Sequence, residues 1–324
     1  MLYKIILPIP LFCCLALLSA CGPQFIPPHT PPLAAPELKD SSFITFDGTR
    51  LPLRTWLPGG GMDTARCLFI AVHGFNDYSN FINGAAEFFV TRNIAVYAYD
   101  QRGFGNAPDR GRWSSTAAMT RDLDTLVRLI TQEHPALPVY LLGHSMGAAV
   151  VIAAMAGQNH HAVAGAILAA PAVWARSTMP SYQSVGLWLI AHTLPWFRAT
   201  GEFLQIKASD NIEMLRELGR DPLVIKETRF DTIYGLQNLM DTAYEAATRF
   251  RLKALVLYGE HDEIIPRKPV QDVFQNFPAQ SARQKTFILY ENGYHMLLRD
   301  LQGKNVMRDI VAWVNDQQSE AGTR

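Results

Sequence analysis

The sequence predicts an α/β fold: a mostly parallel, doubly wound sheet with helices on both faces. Three observations predict it. Six short, almost unbroken apolar runs, CLFIAVHG (67–74), IAVYAYD (94–100), PVYLLGH (138–144), AGAILAAP (164–171), ALVLYGE (254–260) and KTFILYE (285–291), have the continuous hydrophobicity of strands covered on both faces. Helical patterns lie between or after them at about 77–92, 115–133, 146–158, 268–276 and 301–317, the alternation of a wound sheet. The polar motifs fall at the carboxyl ends of the runs, where such sheets bind ligands.

Composition allows one large core. The chain has 324 residues, of which 48% are apolar and 18% charged, enough for one domain with an insertion. Lys plus Arg equals Asp plus Glu at 29 each, so no overall field favours a phosphate backbone and nucleic acid is not an expected partner.

Taken in chain order, residues 1–20 have the layout of a secretory signal: Lys4, an apolar stretch to Leu18, then small residues. The stretch contains Pro8 and Pro10 and is short of the roughly 20 residues that a membrane span needs. Leu18-Ser19-Ala20-Cys21 resembles the lipobox of bacterial lipoproteins, which implies lipidation of Cys21 and a lipid anchor. Gly22 rather than Asp follows it, which by the same resemblance implies the outer membrane, with the body in the periplasm. Cys13 and Cys14 would leave with the signal, so Cys67 would be the one thiol of the mature chain and no intrachain disulfide or cysteine metal cluster is expected. Residues 22–36 hold six prolines and no charge, a composition for an extended tether. At about 3.1 Å per residue it could reach on the order of 45 Å. Residues 21–40 are therefore read as lipidated Cys and tether, and 41–324 as the folded domain.

FITFDGTRLPLRTWLP alternates about Asp47-Gly48 and reads as a hairpin ahead of the first parallel strand. Gly143-His144-Ser145-Met146-Gly147 then joins a strand to an Ala-rich helix. That context makes G-x-S-x-G a nucleophile elbow, with Ser145 raised above the helix N-terminus. A serine hydroxyl needs a base and an orienting acid, which in such folds follow later in the chain. YGEHDEIIP (258–266) offers Glu260, Asp262 and Glu263; ENGYHMLL (291–298) offers His295.

With VHGF (72–75) and YDQRGFG (99–105), these motifs resemble the α/β-hydrolase superfamily, and within it the monoacylglycerol lipase and lysophospholipase branch, over about residues 43–317. The resemblance implies Ser145 as nucleophile, Asp262 as acid, His295 as base, and the backbone N–H groups of Phe75 and Met146 as oxyanion hole. It also implies structural rather than catalytic roles for His73 and His144, and a bracing role for Arg102. Asn106-Ala107-Pro108 stands where the family pattern often has a serine, which weakens transfer of fine specificity but not of chemistry. No His, Asp or Glu set has metal-ligand spacing, so no metal and no cofactor are expected.

About 80 residues separate the strands at 164–171 and 254–260, too many for an ordinary connection. The resemblance places a helical lid there, at about 173–250. Its segment 181–197 is apolar nearly all round, including Trp188 and Trp196. It is either a helix buried in the cap or an apolar entrance for acyl chains. The expected activity is hydrolysis of carboxylic esters of lipids, monoacylglycerol or lysophospholipid, through a Ser-His-Asp triad and an acyl-enzyme. The alternatives are a serine aminopeptidase or amidase of the same fold, and a non-catalytic binding module on it.

Overall fold

A computed structural model of the chain describes residues 22–29, 35–157, 163–201, 206–278 and 284–322. Residues 1–21, on which the expected signal and the expected lipidation of Cys21 fall, lie outside the described residues. Among the described residues, nine strands form the main sheet in the order β1-β2-β3-β5-β4-β6-β7-β10-β11. These are β1 (Glu37–Lys39), β2 (Ser42–Ile44), β3 (Arg50–Trp56), β4 (Cys67–Val72), β5 (Ile94–Tyr99), β6 (Val139–His144), β7 (Val163–Ala169), β10 (Ala254–Gly259) and β11 (Lys285–Tyr290). The six from β5 to β11 run parallel, and β3 joins them antiparallel. This is the α/β-hydrolase arrangement, and every run read as a strand is one.

Each central strand is buried along its whole length because helices cover both faces. One face packs α2 (Thr116–Glu133), α3 (Met146–Met155) and α7 (Arg267–Asn276); the other packs α1 (Asn83–Val90) and α8 (Gly303–Gly322). Helix α2 starts where Ser115 Oγ accepts the Ala118 N–H at 3.0 Å. Its buried stripe, Met119, Leu123, Leu126, Val127 and Ile130, has the i, i+3/i+4 spacing of one helical face. Helix α3 is buried nearly all round, as its uniformly apolar sequence requires.

The insertion forms a cap of α4 (Ser181–Thr193), α5 (Ile212–Arg220), α6 (Phe230–Ala246) and a two-stranded ribbon, β8 (Arg198–Thr200) with β9 (Glu227–Arg229). Helix α6 approaches the body closely: a Cβ on Gly235 would lie 2.2 Å from the Trp113 ring.

Order begins before Ser41, in parts of the segment read as lipidated Cys and tether. Strand β1 lies within that segment and pairs antiparallel with β2 just beyond it. Residues 22–29 also lie on the body: the Ile26 N–H donates to the Trp113 carbonyl at 2.8 Å, and Ser114 Oγ donates to the Ile26 carbonyl at 3.0 Å. Phe25 packs against the core. Proline content favours extension, but an extended chain still offers the N–H and C=O of each intervening residue, and two apolar side chains give it a reason to dock.

Arg102 braces this corner. Its guanidinium binds Asp47 at 2.8 and 2.9 Å and Asp122 at 2.5 and 2.8 Å, joining the hairpin turn to α2. Burial alone would raise the Asp47 carboxyl, but bonds from Arg102, Thr45 and Thr49 outweigh it and hold it below the usual carboxylate range. Arg102→Met should lower the unfolding free energy by about 3–5 kcal/mol, because it leaves two buried carboxylates without their cation. Urea denaturation checks this, and a loss under 1 kcal/mol would make the brace dispensable.

Candidate active site

Ser145 sits at the junction of β6 and α3 with φ 52° and ψ −115°, a left-handed conformation that a serine adopts only when its surroundings impose it. The Ser145 N–H donates to the Ala169 carbonyl at 2.9 Å, and its carbonyl accepts from Ala148 and Ala172 at 3.0 and 3.1 Å. The flanking glycines are dictated by contact. A Cβ on Gly147 would lie 2.0 Å from the Val72 carbonyl oxygen, and one on Gly143 would lie 2.5 Å from Ala148 Cα. Any side chain there would push the elbow away from the sheet.

The turn after β4 abuts this serine. A Cβ on Gly74 would meet Ser145 Cβ at 3.4 Å. The turn closes where the Asp77 N–H donates to the Gly74 carbonyl at 3.3 Å, with Asn76 left-handed at φ 64°. Phe75 leaves it toward Phe104 and Trp113, with ring centroids 5.7 and 6.5 Å away. Met146 is the first residue of α3, so the turn carrying Phe75 and the positive end of that helix flank Ser145. His73 holds the turn from beneath. The Gln101 N–H donates to His73 Nε2 at 3.0 Å, so Nδ1 carries the proton and donates to the Gly74 carbonyl at 2.8 Å. Burial lowers its basicity further and keeps the ring neutral.

His295 and Asp262 meet from two loops 33 residues apart in sequence. His295 Nδ1 lies 2.8 Å from Asp262 Oδ2, with both side chains buried. The other carboxylate oxygen of Asp262 accepts the Ile264 and Ile265 N–H groups at 2.9 and 3.0 Å. Glu260 and Glu263 are exposed, and Glu263 binds the Lys207 N–H. The structure thus distinguishes among the three acids of YGEHDEIIP, and only Asp262 reaches the imidazole.

His144 ties this pair to the elbow. Its Nε2 is 3.0 Å from the His295 carbonyl oxygen, which can only accept, so Nε2–H donates. Burial pushes the His144 imidazole down to about 3, so it stays neutral at physiological pH. The loop carrying His295 is thereby docked on the residue next to Ser145. His261 is exposed and lies against Tyr294, with ring centroids 5.3 Å apart and planes tilted by 36°.

The cap is stitched to both sides of this site. The Ile225 N–H donates to the Asn76 carbonyl at 2.9 Å, and Asn76 Nδ2 donates to Thr228 Oγ1 at 2.7 Å. On the other side, the Met296 N–H donates to the Ala208 carbonyl at 3.0 Å, and Ser209 Oγ donates to Asp300 at 2.6 Å. Ser145 is 7% exposed beneath it. Helix α4 is not buried in the cap. Of its residues only Ala191 is buried, while Tyr182 is 73% and Trp188 48% exposed, and Trp196 just beyond it is 50% exposed. That excludes the reading of 181–197 as a buried cap helix.

The loop after β5 explains why its departure from the usual pattern is tolerated. Asp100 accepts the backbone N–H groups of Ser79 at 2.9 Å and Asn106 at 2.8 Å, bonds that need no serine side chain. Trp113, which links the Phe75 turn to α6, carries no motif and was not singled out from the sequence. Among the described residues, no cluster of three or more His, Cys, Asp or Glu could hold a metal ion, and no helix is long and apolar enough to cross a membrane.

Residues 63–302 match the Hydrolase_4 family, described as serine aminopeptidase, S33. The sequence is 28% identical over 312 residues to a monoglyceride lipase of Rattus norvegicus, covering 94% of this chain and 98% of that one. It is 24% identical over 288 residues to a monoacylglycerol lipase of Mycolicibacterium smegmatis, covering 85% and 96% respectively. In three dimensions it is similar to a soluble variant of Saccharomyces cerevisiae monoglyceride lipase solved with a substrate analog, with a TM-score of 0.72 at 20% identity over 90% of this chain and 99% of that one. At that identity the likeness speaks for the fold alone.

Proposed function

Because the chain belongs to the Hydrolase_4, serine aminopeptidase S33 family, we propose that it is a carboxylic ester hydrolase acting on monoacylglycerol or lysophospholipid, anchored by lipid at Cys21 to the periplasmic side of the outer membrane. The observation that carries the chemistry is the buried Asp262–His295 pair held beside a serine in a strained elbow. The lipid-ester reading is further supported by relatives named monoglyceride and monoacylglycerol lipases over nearly the whole chain, and by the exposed aromatic helix of the cap.

Ser145 Oγ attacks the ester carbonyl carbon while His295 Nε2 takes its proton. Asp262 fixes the tautomer with Nδ1–H facing the carboxylate and stabilises the imidazolium. The carbonyl oxygen becomes an oxyanion, which the N–H groups of Phe75 and Met146 receive. Collapse expels the alcohol oxygen, His295 returns the proton to it, and the acyl group remains on Ser145. Water then attacks the acyl-enzyme with His295 again as base, releasing the fatty acid and restoring the serine.

The family description supplies a second reading, cleavage of aminoacyl amides by the same triad. The two are separated by a substrate panel and by Trp188→Asp. If the exposed face of α4 guides acyl chains, turnover should rise with chain length, each buried methylene contributing about 0.8 kcal/mol. Trp188→Asp should cut hydrolysis of long-chain monoacylglycerol at least about tenfold, the work of two methylenes or more, and leave a short nitrophenyl ester nearly unchanged. Equal losses on both esters, or faster turnover of an aminoacyl nitroanilide than of any lipid ester, would favour the peptidase.

A further inference from the structure

We propose that residues 22–29 form a strap that holds the anchored N-terminus against the cap, so that the cap's exposed aromatic surface lies on the lipid bilayer. The inference rests on lipidation of Cys21.

The strap crosses the seam between body and cap. Near its end, the His29 N–H donates to Asp47 at 3.0 Å, in the cluster braced by Arg102. In the middle, Ile26 is bonded through both backbone groups to Trp113 and Ser114. At its start, the Gln24 N–H faces Asp231 Oδ2 at 3.4 Å, at the N-terminus of α6. Asp231 is itself fixed, buried and paired with Arg229.

From Asp231 the aromatic surface is one step away. The Asp231 N–H donates to the Pro195 carbonyl at 3.1 Å, and the Phe230 N–H to the Phe197 carbonyl at 2.9 Å. Phe197 stacks on Phe230 with ring planes 9° apart, yet remains 58% exposed. One turn along α6, Tyr234 packs on His192, which stacks on Trp188. Phe197, Trp196, Trp188, Leu189 and Tyr182 are all exposed on this one segment of the cap, which Phe230 and Tyr234 tie to the helix that the strap's first residues reach. Five large apolar side chains left exposed on one segment mark an interaction surface.

The occupant follows from where the chain leads. Three peptide steps separate Cys21 from Gln24, a span of at most about 11 Å. A lipid attached there is confined near the N-terminus of α6, and with it the bilayer. A free tether of the same composition would allow every orientation; a docked strap selects the one in which the aromatic surface meets lipid. Tryptophan and tyrosine also suit the interface between headgroups and acyl chains.

The test uses the lipidated protein reconstituted into phosphatidylethanolamine–phosphatidylglycerol vesicles. Tyr182→Cys carries an environment-sensitive fluorophore, with quencher-bearing phospholipid in the bilayer; Cys67 is buried. A Gly/Ser insert of about twelve residues after Gly22 adds roughly 20 Å of slack without touching the strap's bonds. The unaltered strap should give strong quenching, and the insert should reduce it at least threefold. Hydrolysis of vesicle-embedded monoacylglycerol should fall with it while a soluble short ester is turned over as before. Ile26→Pro, which deletes the donor to Trp113, should act in the same direction. Equal quenching with and without the insert, or a label in water with the strap intact, would overturn the proposal. So would a label shielded before lipid is added, which assigns the surface to a second copy of the chain. The mass of the N-terminal peptide separates the two readings. An unmodified Cys21 fails the anchor and the strap proposal together, whereas an acylated Cys21 with the label in water fails the strap proposal alone.

Discussion

Ser145→Ala is expected to abolish labelling by a fluorophosphonate probe and to lower ester turnover by roughly three orders of magnitude or more, with thermal unfolding little changed. The size of the effect follows from the division of labour. The hydroxyl is the atom that bonds to the acyl carbon, and without it only the oxyanion donors and substrate positioning remain. The fold should tolerate the change, because Ser145 is held by its backbone: its N–H to Ala169 and its carbonyl to Ala148 and Ala172. Alanine keeps those bonds, although it must still occupy the left-handed φ of 52°. Labelling of the unaltered protein also separates an enzyme from a catalytically idle binding module. Ester turnover by Ser145→Ala at the unaltered rate would remove the proposed mechanism.

Asp262→Asn should cost on the order of 10⁴ in kcat, whereas Glu260→Gln and Glu263→Gln should each stay within about twofold. The carboxylate does two things that an amide cannot do together. It accepts from His295 Nδ1 at 2.8 Å and from the Ile264 and Ile265 N–H groups on its second oxygen. An asparagine has a single oxygen for these donors. If it keeps the backbone pair, its NH₂ faces Nδ1 and drives the imidazole to the wrong tautomer. If it turns the other way, it presents N–H to N–H at Ile264 and Ile265. Activity and pH profile on a soluble ester check this, and a larger loss at either glutamate would reassign the acid.

Much of this site is legible in the sequence. Ser145 and His295 stand in motifs that follow predicted strands, and because those strands run parallel both lie beyond the carboxyl ends of the sheet. Asp262 was selected by resemblance, since composition cannot rank three acids within four residues; burial and two backbone N–H groups distinguish them. His144 was expected to be structural. Its contact with the His295 carbonyl joins positions 151 residues apart, and no local pattern encodes such a bond.

The sequence by itself determined the strands, the helices on their two faces and the elbow, because each depends on local periodicity or on a turn whose chemistry is written in a few neighbouring residues. Only the tertiary structure decided what rests on distant partners. Proline content favours extension in residues 22–36 but does not show that Ile26 finds Trp113 or that Gln24 reaches Asp231. Hydrophobicity marked 181–197 as apolar without showing which way it faces, since a helix apolar all round has no moment to orient it, and its exposure is set by how α6 and the ribbon hold it. Local patterns specify elements; contacts between elements far apart in the chain decide which surfaces stay open, and those contacts exist only once the chain has closed on itself.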